Sequence, residues 1–341
     1  MLRMKLLARL VHSRGDPCGR PAPGRGRLAV LVVALLRVVI PLPGCDHLAW
    51  GRGRPRGPDY LALVILTRIL PFSFFLSERK LWLLIDSHAH IDTSRFNSDR
   101  EAVIQAALEG GVTRIIDPGT DLSSSRFALS LAKTHPGIVF AGVATHPHDA
   151  TTYSDEVGIQ YREMAREPEV VAIGEFGLDY FRMLSPRDVQ RAVFCSHLQL
   201  ARECDLPCII HVRDSHDDVI ELLRAHGQGL RGVFHCFSGN VAQAEECLEF
   251  DGFMLSFAGP LTRQGNALPE VARMAPPDRI LVETDSPYLV PQPLRARRNE
   301  PLFVKYVAEK LAEIRGMSYE EVAQITTANA VRLFGLGGYI R

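Results

Sequence analysis

Residues 81–341 are expected to fold as an α/β (β/α)8 TIM barrel, and three observations carry that expectation. Short apolar runs alternate with longer segments of helical period. The polar residues closing those runs, Asp86, Asp117, His146, Glu175, His211, His235, Ser256 and Asp285, recur about every 28 residues, the length of one strand–helix unit. The residues best suited to chemistry sit at the C-terminal ends of these runs, where such barrels keep their sites. An open doubly wound sheet would gather ligands only near one switch point, and these come from strands one, four, five, six and eight.

The elements follow in order. The runs leading to the proposed ligands are 83–85, 170–173, 208–210, 232–234 and 280–282. Helical periodicity predicts helices over 99–109, 124–134, 186–204, 217–226, 241–250, 268–274, 302–315 and 318–334. The apolar fraction of 46% and charged fraction of 23% are those of an ordinary globular chain, so low-complexity and disulfide-scaffold classes are excluded. Seven cysteines, an odd number without Cys-x-x-Cys, point to a reducing cytoplasm. Cys236, next to His235, is read as a small buried hydrophobe rather than a soft ligand, because adjacent strand residues face opposite ways.

The net charge of +0 hides an asymmetry. Residues 1–80 carry 14 Lys and Arg against four acids, which leaves 25 bases against 35 acids in the barrel segment. Two apolar runs, 28–42 and 60–76, each hold a mid-run arginine, Arg37 and Arg68, and both are marginal against the roughly 20 residues of a membrane span. Three readings of this extension stand: a start assigned too far upstream, a membrane anchor, or a disordered basic arm for nucleic acid. The first is preferred. The globular pattern begins abruptly at Leu81 with no Met there, and a non-Met start at Leu81 or Leu83 accounts for both facts. Membrane association is expected only if the extension is a genuine anchor.

His88 and His90, two apart on an extended segment, face the same way and can share one ion. Glu175 follows an apolar run and is flanked by glycines that permit close backbone approach. Each candidate has a bland alternative: His211 or His235 as a satisfied barrel histidine, Asp285 as a helix cap before Ser-Pro. Together those alternatives would leave unpaired polar groups at one end of five strands, which is costly. Divalent ions supply the missing partner.

The motifs Ile85-Asp-Ser-His-Ala-His-Ile-Asp92, Thr145-His-Pro-His148, Gly174-Glu-Phe-Gly-Leu-Asp-Tyr180, Ile210-His-Val-Arg-Asp214, His235-Cys-Phe-Ser-Gly239, Glu283-Thr-Asp-Ser-Pro-Tyr288 and Arg298-Asn-Glu-Pro301 run through residues 83–336. That stretch resembles the TatD family of metal-dependent deoxyribonucleases, within the amidohydrolase-like superfamily. Residues 1–80 have no counterpart. Ala144-Thr145 departs from the usual pattern, which often has Gly-Val or Gly-Ile there. The resemblance implies one ion on His88, His90, Glu175 and Asp285, and a second on Glu175, His211 and His235. A carboxylate bridge between two ions agrees with the residue types, because Glu has two ligating oxygens. Two ions of Zn²⁺, Mn²⁺ or Mg²⁺ roughly 3.5–4 Å apart suit phosphodiester hydrolysis.

The resemblance further implies a DNA substrate and a 3′-to-5′ exonuclease, with no stable protein partner. The catalytic residues are expected to be Asp285 as base, Glu175 as bridge, and His146 as a phosphate donor or leaving-group acid; a structural His146 is the alternative. The acidic barrel disfavours broad duplex binding and fits capture of strand ends or single strands. Arg213, Arg263 and the 295–298 arginine cluster are candidate phosphate contacts, with Arg298, Asn299 and Glu300 reading phosphate, sugar or base. The rival function is a metal-dependent hydrolase of another ester or amide, or of aminoacyl-RNA. Glu175 in place of a bridging lysine favours the nuclease-like group over cyclic amidases. A structural zinc barrel is disfavoured, since such sites are closed and Cys-rich.

Overall fold

The computed structural model describes residues 83–295 and 298–339; the basic extension and Arg297 lie outside the described residues. Eight parallel strands pair in chain order in one sheet. They are β1 (Leu84–Asp86), β2 (Val112–Pro118), β3 (Val139–Val143), β4 (Val170–Asp179), β5 (Cys208–Arg213), β6 (Gly232–Phe234), β7 (Phe253–Phe257) and β8 (Ile280–Val282). The sheet closes beyond the regular ends of β8 and β1. Ser87 N donates to Val282 O at 3.2 Å, Asp285 N to His88 O at 2.9 Å, and His90 N to Ser286 O at 2.8 Å. The architecture is therefore the expected (β/α)8 barrel.

Parity along the strands sorts the barrel interior into two layers. Ile85, Ile116, Phe140, Val171, Ile209, Val233, Met254 and Leu281, one from each strand, pack together as an apolar floor. Two residues further on, the same inward face reaches His211 and His235, because side chains alternate with period two. The floor is covered from below by Leu333 and Phe334. They lie on the C-terminal helix α9 (Tyr319–Phe334), which opens with a capping box between Ser318 and Glu321. Asn329 of that helix donates to the carbonyls of Pro277 and Ile280, fixing the helix under β8.

The outer helices are α1 (Arg100–Glu109), α2 (Leu122–Thr134), α3 (Asp155–Met164), α4 (Arg187–Cys204), α5 (His216–His226), α6 (Val241–Leu248), α7 (Leu268–Met274) and α8 (Val304–Arg315). Their apolar faces pack on the outer face of the sheet in a second, larger core. Periodicity missed α3, whose buried contribution is only Gly158 and Tyr161, too small an apolar stripe to register. Among the described residues no helix is long and apolar enough to cross a membrane.

Several boundaries differ from expectation. β4 runs four residues past Glu175 and β5 two past His211, so these residues lie within strands rather than at their ends. β3 and β8 stop three residues short of His146 and Asp285. The turn carrying His146 is held from behind: Thr145 N donates to His197 Nε2 at 3.0 Å, and the Thr145 hydroxyl pairs with Tyr161 Oη at 2.9 Å. The unusual Thr145 is thus satisfied by a local partner.

His197 is fully buried, its Nδ1 donates to Val193 O at 2.8 Å, and burial pulls its pKa down to about 4. A histidine depressed in the folded state contributes stability that is complete above its unfolded value near 6.5 and is lost as pH falls toward 4. Urea unfolding at pH 7 and pH 5 should therefore show that His197→Gln loses less stability on acidification than wild type, by about 2 kcal/mol. Equal losses in the two proteins would remove His197 from the pH dependence.

Candidate metal centre

Glu175 stands at the centre of the upper layer, and both its carboxylate oxygens are in use. Oε2 lies 3.3 Å from His88 Nε2 and 3.3 Å from His90 Nε2. Those two nitrogens are 3.1 Å apart, and Asp285 Oδ1 lies 3.8 and 3.7 Å from them. Oε1 lies 2.8 Å from both His211 Nδ1 and His235 Nε2, which are 3.3 Å from each other. An ion with bonds of about 2.0–2.1 Å in tetrahedral array spaces its ligand atoms by about 3.3 Å. The donor set fits a divalent metal on either oxygen of Glu175.

The backbone explains why β4 can deliver this carboxylate. A methyl group on Gly177 would overlap the carbonyl oxygen of His211, and one on Gly174 would press on Ile209. The flanking glycines let β4 lie close against β5. Asp285 takes a left-handed φ of 55° just beyond β8, a conformation uncommon for a residue with a side chain. Its neighbour Thr284 is clamped by the buried Asp86, which accepts from Thr284 N at 2.9 Å and Oγ1 at 2.6 Å.

Outer hydrogen bonds set the tautomers. In the neutral form that a metal ligand takes, each ring nitrogen facing away from Glu175 and bonded to an acceptor carries the proton, which leaves a lone pair on the nitrogen facing Glu175. His90 Nδ1 donates to Pro118 O at 3.2 Å. His211 Nε2 donates to Asp179 Oδ2 at 3.3 Å, and His235 Nδ1 to Glu283 Oε1 at 3.2 Å. His146 has the opposite arrangement. Its Nδ1 accepts from His148 N at 3.1 Å, so the proton sits on Nε2, which points at Glu175 Oε1 from 3.4 Å. His146 therefore presents a donor where the other three present lone pairs, although its nitrogen is close enough to the Glu175–His211 group to serve as a ligand if the tautomer changed.

The electrostatics follow from burial against mutual attraction. Burial alone would raise the Glu175 pKa, but the imidazoles of His235, His146 and His211 hold it well below the usual range. Burial pulls His90 down, yet the hydrogen bond and charge of Glu175, with Asp285 and Asp92, raise it to about 10. Burial lowers His88 and His146 to about 4. Asp285 rises to about 6, because burial outweighs the attraction of His235 and His90. Without an ion, protons on the imidazoles balance the buried carboxylates, and a bound cation would take the place of those protons.

The expected substrate contacts divide. Arg213 and Arg263 are exposed at the C-terminal rim. Arg298 is not free for substrate: its guanidinium donates to Asp99 Oδ1 and Oδ2 at 2.9 and 2.7 Å, to Glu300 Oε1 at 2.9 Å and to Arg95 O. Glu300 is correspondingly occupied as its partner. Asn299 is fully buried; Nδ2 donates to Thr284 O at 2.8 Å and Oδ1 accepts from Glu300 N, so it braces the Asp285 turn rather than reading a base. Cys236 is only partly buried, and burial pushes its thiol well above the ordinary range.

Sequence reasoning missed Asp179 and Glu283 as orienting carboxylates, and His148 beside them. Parity was the available signal: Asp179 lies four residues after Glu175 on one strand, and Glu283 two before Asp285. The Asp179 carboxylate also takes His148 Nε2 at 2.8 Å and Arg182 N at 2.7 Å, and these bonds with that of His211 overcome burial and lower its pKa.

A parallel barrel with groups of His, Glu and Asp at its C-terminal mouth is the arrangement of a metal-dependent hydrolase. A family model described as TatD related DNase matches residues 85–335, and the chain belongs to that family. It is 42% identical over 254 residues, 74% of this chain and 99% of the relative, to YabD of Bacillus subtilis (strain 168), named an uncharacterized metal-dependent hydrolase. It is 37% identical over 260 residues, 74% of this chain and 100% of the relative, to a protein of Erwinia tasmaniensis named 3′-5′ ssDNA/RNA exonuclease TatD. Among solved structures, the TatD homologue YJJV of Escherichia coli superposes with a TM-score of 0.71 at 31% identity, covering 75% of this chain and 99% of that one.

Asp179→Asn should keep the fold but weaken binding of the ion nearest His211 roughly 10- to 100-fold, the usual cost of losing an outer carboxylate. Calorimetric titration with Zn²⁺ or Mn²⁺ measures it. An unchanged isotherm would mean that Asp179 does not orient His211.

Proposed function

We propose that this protein is a two-ion phosphodiesterase that removes nucleotides from the 3′ ends of single-stranded DNA. The observation carrying this reading is the division of labour on Glu175. One oxygen faces His88, His90 and, further off, Asp285, while the other faces His211 and His235. In this reading the first group holds one divalent ion, the second group holds another, and Glu175 belongs to both. When bound, such ions polarise the phosphodiester and make water a stronger nucleophile near neutral pH.

The chain's own residues then divide the remaining work. Asp285, at the mouth of the site and the most exposed of these carboxylates, takes the proton from attacking water. His146, with its proton on Nε2 and its ring kept neutral by burial, donates to a phosphate oxygen as a neutral donor rather than as an acid for the leaving oxygen. His148, Asp179 and Glu283 hold the ligand rings in register. The relatives named as ssDNA/RNA exonucleases support a nucleic-acid substrate. The acidic barrel segment supports engagement of a few nucleotides rather than a long duplex. Five cysteines among the described residues, all unpaired, support a reducing cytoplasm.

The test is digestion of end-labelled single- and double-stranded DNA by the full chain. Chelation should abolish activity, and Mn²⁺ or Mg²⁺ should restore it. Glu175→Ala should lose at least roughly 10³-fold in rate, as expected when ions that stabilise the transferring phosphoryl are displaced. Single strands should shorten from the 3′ end. Undiminished hydrolysis by Glu175→Ala would overturn the ligand assignment. A metal-loaded wild type inert on every nucleic acid would favour hydrolysis of another ester or amide.

A further inference from the structure

We propose that two exposed rings on the barrel rim, Phe181 and Tyr288, are stacking platforms for unpaired bases, each paired with an arginine that meets the adjacent phosphate. This rests on the single-strand nuclease reading and names how the strand is held. Phe181 is 60% exposed and follows β4 two residues after Asp179. The Arg213 guanidinium lies 4.0 Å from its ring centroid. Arg213 is two residues past His211 on β5, and parity sends it up the same side of the strand. Tyr288 is 49% exposed and closes the turn opened by Asp285, to whose carbonyl its backbone N–H donates at 2.9 Å. Its ring stands edge-on to His90 at 6.4 Å, and the Arg95 guanidinium lies 5.8 Å from its centroid.

One ring therefore accompanies the His90 side of Glu175 and the other the His211 side. Single exposed aromatics are unremarkable on a protein surface. Here two stand beside the same site, each with a cation against it. Among the described residues neither Arg95 nor Arg213 has a carboxylate within ion-pair distance, whereas Arg298, Arg191 and Arg231 are all so paired. A guanidinium against a ring leaves its charge open to a phosphate and the other ring face open to a base.

This arrangement solves a problem of affinity. An acidic barrel cannot hold nucleic acid by many lysine and arginine contacts. Stacking is indifferent to sequence and strong per base, so two rings and two arginines suffice for a short strand. Bases in a duplex are already stacked and offer neither face, so the platforms select single strands.

The experiment compares steady-state hydrolysis of a 3′-labelled oligothymidylate with that of a strand of equal length whose 3′-terminal residues are abasic. Phe181→Leu and Tyr288→Leu remove the ring and keep apolar bulk at exposed positions. Each should lower kcat/KM on the base-bearing strand roughly 5- to 150-fold, mainly through KM, and change the abasic strand less than about twofold. Arg213→Gln should weaken both strands and reduce the salt slope of binding by about 0.7, one phosphate contact to a single strand. Leucine variants that keep the wild-type preference for bases, or lose both strands equally, overturn the platforms while active wild type upholds the nuclease. A wild type that hydrolyses neither strand removes both readings.

Discussion

Closure of the sheet between β8 and β1 is the constraint on which the rest depends. The seam is made by the segments that carry His88, His90 and Asp285, through three backbone hydrogen bonds between 87–90 and 282–286. Residues almost two hundred positions apart thereby share one wall. The Asp86 carboxylate, fully buried, adds two bonds to Thr284 on the facing segment. Each unmade bond in this seam would leave a buried polar group unsatisfied, at about 1–3 kcal/mol. Fold and site are therefore held by the same contacts.

Within the closed barrel, the division between an apolar floor and a polar upper layer lets charge accumulate without dissolving the core. The floor excludes water from below, and the ligand rings are aimed by acceptors behind them. Pro118 O, Asp179 and Glu283 choose which nitrogen keeps its proton, so a site of nearly identical imidazoles acquires distinct roles. His146 departs from its neighbours for the same kind of reason, a single backbone N–H from His148.

The candidate ligand residues were legible because chemistry and strand parity both mark them, and because apolar runs announce buried parallel strands. The helices on the barrel's outer face were legible wherever they bury a broad stripe, and α3 escaped because its fully buried positions are only Gly158 and Tyr161. The substrate contacts were the weakest part of the reading. Arg298, Glu300 and Asn299 carry donors and acceptors that nucleic acid could use, but Asp99 and the Thr284 turn take them first. Competition of that kind is decided by neighbours far away in the chain.

What the sequence determined by itself was the repeat of strand and helix, the inventory of candidate metal-binding side chains and the family to which the chain belongs. These follow from local periodicity and residue chemistry. Only the tertiary structure decided which oxygen of Glu175 faces which histidines, which ring nitrogen bears each proton, and which arginines remain free at the rim. Those outcomes depend on distances of a few ångströms between residues brought together by barrel closure, and no pattern along the chain encodes them.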